Sequence, residues 1–143
     1  MNKLQKSVMN LQCELVAERN RLNQKEITWL QFDILNVLRP ENPCSPSELS
    51  EYLGISRSKF SKAVKELKDL NYITQIIDER DGRSLITMIT SQGKDLLTTI
   101  DEGHRYLLEI ARDIFSKQEQ ETFIALANRL SQKLADERMK NFG

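Results

Sequence analysis

Residues 45–70 read SPSELSEYLGISRSKFSKAVKELKDL. Ser45 stands where an N-cap belongs, Pro46 suits the first helical position, and Glu48 falls three residues after the cap, as in a capping box. The short helix that follows is expected over Pro46 to Tyr52, with Leu49, Leu53 and Ile55 as its buried side. Gly54 allows a tight turn after it. Ser56 is placed to cap a second helix, Arg57 to about Leu70, and Asn71 suits a left-handed end to that helix. A short helix, a glycine turn and a basic helix make the helix-turn-helix pattern.

The second helix has two distinct faces. At about 100° per residue, Val64, Leu67 and Ala63 fall within about 60° of Phe60 and form the stripe to be buried. Lys62, Lys65, Ser58 and Asp69 point the other way, with Lys59 at the edge. Residues 56–70 hold Arg57, Lys59, Lys62, Lys65 and Lys68 against Glu66 and Asp69, a local charge of +3. Residues 26–53 hold one Arg and five acids, a local charge of −4. The whole chain has 143 residues with 21 Lys+Arg and 21 Asp+Glu, so overall neutrality conceals a basic helix beside an acidic scaffold. Phosphates need cations, and base edges in the major groove need donors carried on a rod about as wide as a helix. Lys59, Lys62 and Lys65 supply charge. Arg57, Ser58 and Ser61 lie near the helix N-terminus, the end that recognition helices commonly direct at base edges.

Downstream, Tyr72 to Ile77 and Leu85 to Thr90 are rich in β-branched residues. The polar loop Asp78-Glu79-Arg80-Asp81-Gly82-Arg83-Ser84 separates them, and the three together read as a hairpin. A hairpin directly after a helix-turn-helix is a wing. Arg80 and Arg83 fall at or near its tip, where an Arg can enter the narrow minor groove of A·T-rich DNA. Asp81, two residues before Arg83, can hold that side chain in place.

The flanks are helical. Asn2 to Leu22 carries Leu4, Val8, Leu11, Leu15 and Leu22 at helical spacing, with Val16 beside them. Thr28 can cap a helix that puts Trp29, Phe32, Leu35 and Leu38 on one face, ended by Pro40 and Pro43. After the hairpin, Thr90 or Ser91 caps one long helix carrying Leu96, Leu97, Ile100, Leu107, Ile110 and Ile114, with His104 in its middle. A last helix is expected from about Lys117 to Met139. The two terminal helices are amphipathic and long, yet have no partner inside a compact monomer. The fold class is therefore mainly α with a small β-hairpin wing: a winged helix-turn-helix over residues 26–99, and a helical dimerisation region from residues 1–25 and 100–143.

Several chemistries are excluded. No apolar run approaches the ~18–20 residues that cross a bilayer, and residues 1–14 have no apolar core of a secretory signal. The expected location is the cytoplasm, with no membrane partner and with Cys13 and Cys44 both as thiols. One histidine, His104, makes no metal site, and no cofactor is expected. Neither a G-x-S-x-G motif, a Walker loop nor a G-x-G-x-x-G is present, so the chain is not expected to be an enzyme.

Taken together, residues 26–97 resemble the multiple antibiotic resistance regulator (MarR) family of winged helix-turn-helix regulators. The resemblance rests on Ile27-Thr28-Trp29-Leu30-Gln31-Phe32, on Ser47 to Ser56, on the Phe60 to Leu70 helix, on the D-x-R-D-x-R wing and on Thr90-Ser91-Gln92-Gly93-Lys94. It implies a transcriptional regulator, expected to be a repressor, that binds double-stranded DNA at a pseudo-palindromic operator as a homodimer. Arg83 would be the minor-groove Arg and Asp81 its orienter, while the helix from Arg57 reads the major groove. It also implies a small aromatic or phenolic effector in the crevice between the winged domain and the dimer helices, lined by Cys13, Trp29, Phe32 and His104. Organic-hydroperoxide sensors of this family carry a reactive Cys on the first helix, where Cys13 lies. Trp29 and Phe32, however, lack the hydroxyls that stabilise a thiolate there. Two alternatives remain: a redox sensor acting through Cys13, and a winged-helix module that binds protein instead of DNA, against which the cations of residues 57–68, Arg80 and Arg83 argue.

Overall fold

The structure, a computed structural model, describes residues 2–22, 24–40, 43–79 and 85–140. Its elements run α1 (Lys3–Leu22), α2 (Trp29–Leu38), α3 (Pro46–Leu53), α4 (Arg57–Asp69), β1 (Ile73–Ile77), β2 (Leu85–Ile89), α5 (Ser91–Gly103), α6 (Arg105–Ile114) and α7 (Lys117–Met139). The expected caps are in place. The Thr28, Ser45, Ser56 and Thr90 hydroxyls accept from the backbone N–H groups of Gln31, Glu48, Lys59 and Gly93. Each satisfies one of the orphan donors at a helix start. At Ser45 the box is altered: the Ser45 hydroxyl lies 3.1 Å from the Glu48 carboxylate and donates to it.

Two backbone positions require their residues. Gly54 closes α3 at φ 68°, the left-handed region, and its N–H donates to the Glu51 carbonyl. Asn71 follows α4 at φ 64°, as expected for a residue that tolerates this conformation. Gly93 is needed for another reason: a Cβ there would stand 2.4 Å from the Tyr72 carbonyl oxygen. The start of α5 is thus pressed against the base of the wing. Thr90 ties the two together, donating through its hydroxyl to the Asn71 carbonyl at 2.7 Å.

Strands β1 and β2 pair antiparallel, from Ile73 opposite Ile89 to Ile77 opposite Leu85. Cys44 makes a bridge to β2: its N–H and carbonyl pair with those of Thr87 at 3.3 and 2.8 Å. The edge of β2 has free backbone groups to offer, so the loop after α2 is fastened to the wing.

The core is one cluster. Phe32, Ile34, Leu35 and Leu38 of α2 meet Leu49 of α3, Phe60, Ala63, Val64 and Leu67 of α4, Ile73 of β1, and Leu96, Leu97 and Ile100 of α5. Arg39 fastens α2 to α5 through two hydrogen bonds to Asp101, at 2.6 and 3.1 Å.

One expectation is corrected. The long helix after the wing is two helices, and His104 is the junction between them. Glycine is the costliest ordinary helix residue after proline, so Gly103 weakens the helix at that point. The His104 N–H closes α5 onto the Asp101 carbonyl, while its own carbonyl starts α6 by accepting from Leu107 and Leu108.

Candidate nucleic-acid interface

Helix α4 is held along its inner side and open along its outer side. Phe60, Ala63, Val64 and Leu67 are buried, while Ser58, Lys59, Ser61, Lys62 and Lys65 are all exposed. The stripe read from sequence is therefore the one that packs. The ion pairs within 4 Å among the described residues leave Lys59, Lys62 and Lys65 out. These three ammonium groups are available to an external anion.

Arg57 is exposed too, but it has a protein partner. Its guanidinium donates to the Ser47 hydroxyl at the start of α3. The two helices of the motif are thereby linked at their N-terminal ends, and the Arg57 side chain is held at the face that would meet DNA. Sequence reasoning missed Ser47; its only signal is its place beside the Ser45 cap.

Sequence reasoning also missed what sits behind α4. Gln31 is buried on α2, and its amide donates to the Glu66 carboxylate at 2.7 Å and to the Ala63 carbonyl at 3.4 Å. Glu66, four residues after Lys62, is exposed beside Lys59 and Lys62 and is tied to α2 through Gln31. No spacing rule connects residues 35 apart, so this link carries no signal in the sequence.

The wing reaches out beside α4. Its legs are described to Glu79 and from Leu85, so Arg80, Asp81 and Arg83 lie outside the described residues.

A second feature lies among α1, α6 and α7, and of the four residues expected around an effector only His104 lines it. A crevice of about 660 Å³ is lined by Val8, Leu11, Leu15 and Arg19 of α1, by His104 and Leu107, and by Leu130 and Leu134 of α7. His104 packs on Trp29 and Phe32, with ring centroids 5.6 and 5.9 Å apart, and those two meet edge to face at 5.5 Å. Three of the four residues named from sequence are thus together. Cys13 is exposed on α1 and does not line the crevice. The unforeseen member is Arg19. Its guanidinium lies 5.2 Å from the Trp29 ring centroid and 5.7 Å from that of Phe32, and it grips Asp33 at 2.7 and 3.2 Å. An Arg over an aromatic face is attracted by the ring quadrupole.

Among the described residues, no group of three or more His, Cys, Asp or Glu could hold a metal ion. No helix among them is long and apolar enough to cross a membrane.

Comparison with known proteins agrees with this geometry. A family model described as the MarR family matches residues 25–84. YdgG of Bacillus subtilis, an uncharacterised helix-turn-helix transcriptional regulator, is 30% identical over 105 residues, covering 66% of this chain and 69% of its own. The chain superposes on Streptococcus pneumoniae FabT, solved in complex with DNA, with a TM-score of 0.67 and 20% identity, covering 94% of this chain and 95% of that one. It superposes on BpsR of Bordetella bronchiseptica, a protein whose DNA binding is regulated by 6-hydroxynicotinic acid, with a TM-score of 0.72 and 17% identity, covering 91% and 94%. A winged helix-turn-helix with a cationic reading helix defines the class, a DNA-binding transcriptional regulator. The chain belongs to the MarR family, whose members regulate transcription and are not enzymes.

Proposed function

We propose that this chain is a homodimeric repressor that binds a pseudo-palindromic operator in the cytoplasm and is released by a small aromatic or phenolic effector. One observation carries the reading. The outer face of α4 is a row of exposed Lys and Ser residues on a helix whose inner face is fully packed. Such a helix has its orientation set by the core and its charge left for an anion. Ser58, Ser61, Lys62 and Arg57 would face base edges, with Lys59 and Lys65 on phosphates. Arg80 and Arg83 of the wing would reach the minor groove, with Asp81 orienting Arg83.

Residues 26–99 would act as the DNA-binding unit, and residues 1–25 and 100–143 as the dimerisation region. Support for the second unit comes from its exposed apolar side chains. Leu4, Val8, Leu11, Leu15, Leu126, Leu130 and Leu134 are each 43–75% exposed in the single chain. A self-complementary patch of this kind is what a two-fold interface uses. The effector would enter the crevice at His104 and Arg19, backed by Trp29 and Phe32, and alter the spacing of the two reading helices. The binding of DNA by FabT and the response of BpsR to an aromatic acid favour both parts of this reading.

The test is binding to a labelled duplex from upstream of the protein's own gene, across a salt series and beside a scrambled duplex. Preferential, salt-weakened binding supports the reading. Absence of binding to any DNA at low salt overturns it.

A further inference from the structure

Helix α7 starts beside α6, in the proposed dimerisation region or arm, and ends against the helix-turn-helix. Its last turn meets α3 through Arg138. The Arg138 Nε donates to the Tyr52 carbonyl oxygen at 2.7 Å. Its guanidinium carbon lies 5.6 Å from the centroid of the Tyr52 ring. Its Cδ lies 3.4 Å from where a Cβ on Gly54 would stand. Ala135, one turn earlier, is the residue that α7 buries.

The Tyr52 carbonyl is among the last four of α3, which have no intrahelical donor. Gly54 and Ile55 supply donors to Glu51 and Ser50, one turn earlier. Arg138 therefore completes the end of α3, and a cation there also suits the negative end of the helix dipole. The contact falls on the turn that joins α3 to α4, so α3 cannot tilt on α7 without carrying α4 along.

We propose that Arg138 is a positioning residue for operator binding: by capping α3 from α7, it sets the angle of the winged domain on the arm, and with it the distance between the two reading helices. The proposal rests on the dimeric reading above. Its consequence is particular. Half-sites lie about one helical turn apart, so loosening this contact affects the engagement of two half-sites at once and spares the engagement of one.

The experiment uses the full chain and an operator selected by the wild-type protein from a randomised duplex pool. Affinity is measured by fluorescence anisotropy for the full site, for the same site lengthened by about two base pairs at its centre, and for one half-site. Arg138 is exposed, so its replacement leaves the core intact. Arg138→Ala is expected to weaken the full site about tenfold, to change the half-site by less than about twofold, and to shrink the preference for the native spacing. Arg138→Lys is expected to restore part of that preference, because an ammonium still donates to the Tyr52 carbonyl. An unchanged spacing preference overturns the proposal, as does an equal loss on half-site and full site. A wild-type protein that sediments as a monomer on its operator overturns the dimeric reading itself, before any variant is made.

Discussion

Helices α4 and α7 are alike in design and opposite in what they bury. Each opens on a serine cap, Ser56 or Ser116, and each carries apolar residues at helical spacing. In α4 four apolar residues are buried; in α7 only Ala135 is, while Phe123, Ile124, Leu126, Leu130 and Leu134 stay 45–57% exposed. Helix α1 buries none of its residues. The apolar stripe of α4 is satisfied within the chain, so its polar face is left for something else. The stripes of α1 and α7 are not satisfied, so it is their apolar faces that are left. The same periodicity thus marks a buried apolar face in one region and an exposed one in the other, and only burial separates the two.

That contrast can be broken at its strongest point first. Phe60→Ala removes the largest fully buried side chain of the core and is expected to cost about 3–5 kcal/mol of stability, read as a drop in denaturation midpoint. Loss of well under 1 kcal/mol would mean that α4 is not seated by its stripe. In α7, Leu130→Asp is expected to leave the secondary structure of the chain intact. It should weaken self-association by about 2–4 kcal/mol, measured by sedimentation at several concentrations. An unaltered sedimentation profile would end the assignment of α7 to the interface.

Smaller effects sharpen the outer face. Arg83→Ala is expected to weaken operator binding by about 1–3 kcal/mol, and unchanged affinity would remove the wing from the mechanism. Lys62→Ala should weaken binding and lower the slope of log affinity against log salt by about one unit, if its ammonium meets a phosphate.

The mildest test concerns the two thiols. Cys13 is exposed and Cys44 is buried. Burial, and to a lesser degree the neighbouring Glu48 carboxylate, pushes the Cys44 thiol up from its ordinary range. The folded state therefore holds the Cys44 proton more tightly than the unfolded chain does. Its contribution to stability is complete below the unfolded thiol value, about pH 8.5, and declines as pH rises beyond it. A thiol reagent at neutral pH should label Cys13 first and Cys44 only on unfolding. Equal rates would contradict the burial of Cys44.

Much of the winged domain was legible because its signals are local. Caps at Thr28, Ser45 and Ser56, the left-handed positions Gly54 and Asn71, and the stripe of Phe60, Ala63, Val64 and Leu67 each follow from a few neighbouring residues. Errors came where apolar spacing runs through a local break, or where the deciding partner is distant. The break at Gly103 and His104 passed for continuous helix, because apolar spacing runs on through it to Leu107 and Ile110. The pairing of Cys44 with Thr87 left no signal in the sequence, because the partner comes from β2. His104, Trp29 and Phe32 were foreseen as a group and pack together, but only His104 of the three lines the crevice; Arg19 was not foreseen, and Cys13 does not join them.

Apart from the break at Gly103 and His104, the sequence by itself determined which segments are helical, where they start and stop, and which face of α4 is cationic. These depend on caps, turns and periodicity within a few residues of chain. Tertiary structure alone decided that Gln31 donates to Glu66, that Arg19 stacks on Trp29 while gripping Asp33, and that Arg138 caps α3 from the end of α7. Each of these pairs a donor with an acceptor or a ring far away in the chain. Such a pairing depends on how packed helices bring side chains together, and no local rule carries that information.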